Sequence, residues 1–234
     1  MRLRSSNPVL RGIDSRATYS DHAVTYANVA MKTIFLVAIT GIVALYISNN
    51  LEFVNFGWLI GAFVIGFISV IVGTRSVKLS PIFSVIYAVS EGVVLGVVSS
   101  MFAYLYEGIV PTALMTTLIV LVVMMLLYST GIIKVTQKFA SFMVVALISV
   151  IFMSLISLIL PTAITGQFYY LVAGLSALLS AFFLFLDFES IRTCVDSGTD
   201  AKYGWILSLG LMVTLVWIYV EILRLLAIFG SRRN

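Results

Sequence analysis

Four acidic side chains lie inside long apolar stretches of this chain. They are Glu91, Asp187, Glu189 and Glu221. Arg224 is the only basic group in the deeper part of any such stretch. A charge placed in lipid costs about 2.5–3.5 kcal/mol on insertion scales, so each of these groups must face a bundle interior, water or the interface. Carboxyls held away from water keep their protons to higher pH, and like-charged neighbours extend that range. When ionised they attract hard cations such as calcium, which prefer carboxylate oxygen. The chemistry indicated is a proton- or cation-linked pathway, with the ion left open.

Each candidate also has a plain structural alternative. Glu91 sits about ten residues into its run, roughly 15 Å deep, with Gly92 and Gly96 suited to close helix contact. It is either a pore-lining acid or a glutamic acid hydrogen-bonded between helices. Asp187 and Glu189 stand two residues apart, about 200° around a helix, so they face different ways. Asp187 reads as the inward, functional group, and Glu189 as an interfacial charge near Arg192. Glu221 and Arg224 have the i,i+3 spacing of an ion pair on one face. They form either a neutralised pair that makes insertion tolerable or a carboxylate in a polar core tuned by Arg224.

These residues need a membrane scaffold. The 234-residue chain is 61% hydrophobic and 10% charged, with mean hydropathy +1.13. A soluble domain carries about 25% charged residues. A span needs roughly 20 apolar residues, and seven stretches qualify: 32–49, 56–73, 82–104, 113–133, 139–160, 168–191 and 204–229. The expected fold is all-α and polytopic. A basic segment, 1–30, precedes a seven-helix domain, 31–230, and a short tail, 231–234. The connections are short and charged, such as Thr74 to Lys78 and Arg192 to Tyr203. The first 30 residues lack the short apolar core and cleavage site of a signal peptide.

Arg2, Arg4, Arg11, Arg16, Lys32, Arg75, Lys78, Lys134, Lys138, Arg192 and Lys202 all fall on one side. The opposite loops hold Glu52 and Glu107 and no Lys or Arg. The positive-inside rule therefore predicts a cytoplasmic N-terminus. Arg232 and Arg233 in the tail oppose an external C-terminus. Six spans plus a re-entrant segment are the alternative.

Other classes are disfavoured. His22 and Cys194 are single, so no His/Cys cluster offers a zinc site and no intramolecular disulfide is available. A serine protease lacks a histidine base within the runs. An aspartyl protease needs two aspartates, and only Asp187 lies well within a run. No enzyme activity, cofactor or nucleic-acid partner is expected, the basic residues being accounted for by topology. The expected partner is the lipid bilayer, and the basic N-terminal segment could engage a further membrane protein.

The stretch Phe182 to Ile191, FFLFLDFESI, and the stretch Gly210 to Leu226 resemble the last two helices of the Bax inhibitor-1/YccA family. The Asn7-Pro8-Val9-Leu10 start, Glu91-Gly92 to Leu95-Gly96, and Tyr128 to Phe139 with Lys134, Thr136 and Lys138 extend the resemblance to its bacterial branch. It implies seven helices with the last surrounded by the other six, in a bacterial inner membrane. It also implies a pH-sensitive calcium leak, with calcium as the permeant ion rather than a cofactor. Other members are linked to suppression of cell death or to modulation of a membrane protease. In the leak picture two aspartates of the sixth and seventh helices sense protons. Asp187 matches the first. The second falls at Thr214, and Glu221, two turns further on roughly the same face, is the expected substitute.

Overall fold

The computed structural model describes residues 23–159 and 167–231. Arg2, Arg4, Arg11, Arg16, His22, the connection beginning at Pro161 and the tail arginines lie outside them. Seven helices follow in order: α1 Tyr26–Ser48, α2 Phe56–Arg75, α3 Ser80–Leu105, α4 Ile109–Ser129, α5 Gln137–Ile159, α6 Gln167–Asp196 and α7 Gly204–Ser231. All seven are long and apolar enough to cross a membrane. The helix α7 is continuous, with no break marking a re-entrant turn.

Local chemistry sets the helix ends, and several run past the apolar windows. Thr25 caps α1 by accepting a bond from the Asn28 N–H at 3.1 Å, so the helix starts at Tyr26 rather than 32. The start of α4 moves back to Ile109, one residue after Gly108 at φ 73°. Pro111 falls in the first turn, where no intrahelical partner for its missing N–H is needed. At the other end Gly131, at φ 71°, stops α4 short of 133. The α6 helix runs five residues beyond 191 and carries an i,i+4 pair, Arg192 Nε to Asp196 Oδ2 at 3.4 Å. Gly198, at φ 65°, turns the chain out of α6, and the Thr199 N–H closes back on the Cys194 carbonyl at 3.1 Å.

The most enclosed helix is α7, which packs against α1, α2, α3, α4 and α6. Five of the other helices thus surround it, while α5 packs chiefly on α6 and otherwise faces outward. One core gathers Leu95, Ala113, Leu184, Ile218 and Leu223 from α3, α4, α6 and α7. A second gathers Leu36, Tyr87, Ala88, Leu209 and Met212 from α1, α3 and α7. The α1–α3 seam is tight because Gly92 and Gly96 meet it: a methyl on Gly96 would lie 2.8 Å from the Ala44 carbonyl oxygen. In lipid, close backbone approach of this kind replaces the hydrophobic drive that packs soluble helices. The large apolar residues left exposed on the helices form the lipid-facing surface.

The described basic residues other than Arg224 lie at or near the ends of the α2–α3, α4–α5 and α6–α7 connections and the start of α1. Glu52 and Glu107 lie on the opposite loops and are exposed. On the basic face the N-terminal entry is tied to the α6–α7 loop. The Val24 N–H bonds the Thr199 carbonyl at 2.7 Å, and Lys32 Nζ bonds Asn28 Oδ1 at 2.7 Å and the Ala201 carbonyl at 2.9 Å. The same ammonium lies 5.2 Å from the centre of the Trp205 ring, a cation–π contact.

Candidate functional site

Asp187 lies about nine residues from the basic-face end of α6, roughly 14 Å along the helix. Its carboxyl turns inward onto α7 at Gly210, where a methyl group would stand 3.8 Å from Asp187 Oδ1. The Thr214 hydroxyl, one turn on, is its polar neighbour on α7 and donates to the Gly210 carbonyl at 3.4 Å. Asp187 Oδ2 is buried and has no hydrogen-bond partner among the described residues. A buried acceptor left open is costly for an anion and mild for a neutral acid.

Glu221 sits elsewhere. Its Oε1 accepts bonds from Ser176 Oγ at 2.7 Å and Trp217 Nε1 at 3.2 Å, and its Oε2 faces Arg224 Nη1 at 3.2 Å. The carboxylate is 4% exposed, whereas the Arg224 side chain is 36% exposed. The expected i,i+3 pair is present. The expected partnership of Glu221 with Asp187 is not: Ser176 lies eleven residues before Asp187 on α6, about 16 Å along the axis. Thr214 stands where Glu221 was expected. The reason is register. The helices α6 and α7 run antiparallel, so moving two turns along α7 from Thr214 moves away from Asp187 toward the start of α6.

Glu91 projects from α3 toward α2 at Gly66, where a methyl would meet Ser90 Cβ at 3.5 Å, Tyr87 Cδ2 at 3.8 Å and Glu91 Oε2 at 4.0 Å. Next to it, a recess of about 440 Å³ opens between α2 and α3, lined by Trp58, Gly61, Ile65, Val89 and Ser90 among others. Glu189 points the other way from Asp187, as their spacing required, and accepts a bond from the Tyr128 hydroxyl of α4 at 2.5 Å. With Arg192 and Lys134 it lines a recess of about 260 Å³ at the basic face.

The four acids therefore occupy different places rather than one cluster. Asp187 and Glu221 lie at two depths of the α6–α7 interface, Glu91 at α2–α3 and Glu189 at α4–α6. No group of three His, Cys, Asp or Glu able to hold a metal ion occurs among the described residues. Sequence reasoning did not single out Ser176 and Trp217, the donors to Glu221. The i,i+4 spacing of Trp217 and Glu221 was the available signal for one of them, and nothing local pointed to Ser176. Another unforeseen bond joins Ser99 of α3 to the Tyr219 hydroxyl of α7 at 2.8 Å.

No curated protein matches the chain. The model of the family described as Bax inhibitor 1 like matches residues 7–231. With seven apolar helices, five of them packed about the last, the chain is an integral membrane protein and belongs to the Bax inhibitor 1 like family.

Proposed function

We propose that this protein is a pH-modulated cation leak, with calcium the first candidate ion, gated by the protonation of Asp187. The observation that carries this is the Asp187 carboxyl enclosed between α6 and α7, one oxygen without a hydrogen-bond partner among the described residues. The neutral acid is compatible with dry packing against Gly210 and Thr214. The anion requires water or a cation at that depth. Deprotonation therefore favours a hydrated, cation-attracting state, and flux rises with pH. Glu91 is the further pore-lining candidate. Glu221 and Arg224 form a fixed pair that supports the bundle, with Arg224 the counter-charge. The basic face is assigned to the cytoplasm on the charge asymmetry of the loops, and the bilayer to a bacterial inner membrane on the resemblance to the family's bacterial branch.

The test is calcium entry into liposomes across pH 5–8 for wild type, Asp187→Asn and Glu91→Gln. The expected result is flux that climbs with pH in wild type and loses that dependence in Asp187→Asn. Flux in Asp187→Asn with the wild-type pH profile would refute the gating role. The alternative is a non-conducting regulator that binds another membrane protein such as a protease. Its support is the recess at the basic face, where Lys134 and Arg192 stand exposed around Glu189. Absence of flux in all three proteins at every pH would favour it.

A further inference from the structure

One face of α3 carries Ser80, Ser84, Tyr87 and Glu91, spaced 4, 3 and 4 residues apart. That spacing places all four on a single stripe. The stripe starts at the basic face and ends near mid-membrane, about 16 Å away. Three of the four are buried: Ser80 and Ser84 are 0% exposed and Tyr87 is 5% exposed.

The two serines behave unlike most other hydroxyls of the helices. Thr33, Ser69, Ser100, Thr117, Ser149 and Ser190 each donate to the carbonyl four residues back, at 2.7–3.0 Å. Ser80 Oγ and Ser84 Oγ are fully buried and have no partner among the described residues. Ser80, the first residue of α3, has no carbonyl four residues back in its own helix, and Ser84 leaves the one it has. Each buried hydroxyl must find another partner if its burial is not to be penalised. The neighbouring helix α2 presents the small buried residues Ala62, Gly66, Ser69 and Gly73. Gly66 lies against Tyr87 and Glu91, and Gly73 against Phe83 and the Leu209 side chain of α7.

Side chains on a helix lean toward its N-terminus, so Tyr87 and Glu91 reach back toward the serines. Successive steps along the stripe are about 6, 4.5 and 6 Å. Two oxygens bridged by one water, each bond about 2.8 Å, lie at most about 5.6 Å apart, a span of the same order as these rises along the helix axis. We propose that Ser80, Ser84 and Tyr87 hold a file of single waters that carries protons between the basic face and Glu91. Each water or hydroxyl accepts one proton and releases another to the next oxygen. The carboxylate of Glu91 takes the last one and returns it by the reverse path.

No other charged group among the described residues competes for this path. On the helices packed against α3, Lys32 is held by Asn28 and Ala201 and Arg75 is exposed at the basic face. Tyr128 is bonded to Glu189, Tyr219 to Ser99, and Glu221 to Arg224. Tyr87 is the titratable group that couples electrostatically to Glu91. The route is independent of Asp187, and it stands whether or not calcium is conducted.

Time-resolved infrared spectroscopy of the protein in nanodiscs tests it. The carboxyl band lost in Glu91→Gln identifies Glu91, and Asp187→Asn serves as the background so that gating at Asp187 plays no part. After a pH jump, protonation of Glu91 should slow at least tenfold in Ser80→Ala/Ser84→Ala. It should be unchanged in Ser69→Ala, whose hydroxyl is already committed to the Ile65 carbonyl. Removing two unbonded hydroxyls does not threaten folding, and circular dichroism checks this. Equal protonation rates with and without the two serines, or no titrating band from Glu91, would overturn the proposal.

Discussion

The Glu221 site permits a quantitative test by a double-mutant cycle of Glu221→Gln and Arg224→Met. Breaking a fully buried ion pair by removing one partner costs about 3–5 kcal/mol, whereas an exposed pair is worth about 0–1 kcal/mol. This pair is mixed: the carboxylate is enclosed and the guanidinium is about one-third exposed. Ser176 and Trp217 remain as donors when the arginine is lost. Arg224→Met should therefore destabilise by about 2 kcal/mol.

Glu221→Gln retains an acceptor oxygen for Ser176 and Trp217 and removes only the charge, costing about 1 kcal/mol. The double variant no longer contains an unpaired anion. It should also cost about 1 kcal/mol rather than the sum of about 3, a coupling of about 2 kcal/mol. That is roughly a 30-fold effect on the unfolding equilibrium. Reversible unfolding in mixed detergent micelles, followed by far-ultraviolet circular dichroism, measures all four corners. Additivity to within about 0.5 kcal/mol would show that the two groups act separately and that the pair has no role in holding the bundle.

Other consequences are as direct. A methyl on Gly92 would lie 2.6 Å from Val43 Cβ and 2.9 Å from the Thr40 carbonyl oxygen, so Gly92→Ala must part α1 from α3. It should cost about 1–3 kcal/mol in the same unfolding assay. Gly174→Ala, with nothing within 4 Å, should instead be neutral or stabilise by up to about 1 kcal/mol. Lys32→Met removes the bonds to Asn28 and Ala201, and should speed amide exchange around residues 201–203 by about tenfold. Thr214→Asp sets a second carboxyl beside Asp187, and should spread the pH dependence of flux over two steps because the pair shares its protons. Cysteines at the exposed positions Lys78 and Glu107 should react with an impermeant thiol reagent from opposite sides of the membrane, the first only from the cytoplasm.

The helices were legible because lipid imposes one rule on any span: about 20 apolar residues with every backbone group bonded internally. Hydropathy marks the thickness of the bilayer, not the end of the hydrogen-bond ladder. That is why α1 began six residues early, at a threonine cap, and α6 continued through Arg192 to Asp196. Pairs within one helix were also legible, since i,i+3 spacing alone brought Arg224 to Glu221 and two-residue spacing alone sent Asp187 and Glu189 apart. Contacts between helices were not. The partner of Asp187 depends on how far α7 slides along α6, and no local pattern encodes that offset. Thr214 and Glu221 share a face of α7, but only one of them can lie level with Asp187.

The dispersal of the acids has a consequence for any pH response. Two carboxyls within a few ångströms titrate as one unit, with two macroscopic steps pushed apart. In this bundle Thr214 rather than an acid neighbours Asp187, and Glu221 is committed to Arg224, Ser176 and Trp217. Glu91 lies across a different interface, against Gly66 of α2. Asp187 should then respond as a single site, its switch from one-tenth to nine-tenths complete spanning about two pH units. A steeper profile would require a second proton taken up in concert. No described group stands close enough to Asp187 to supply one, so steepness in the wild type would point to a second copy of the chain or to a different gate.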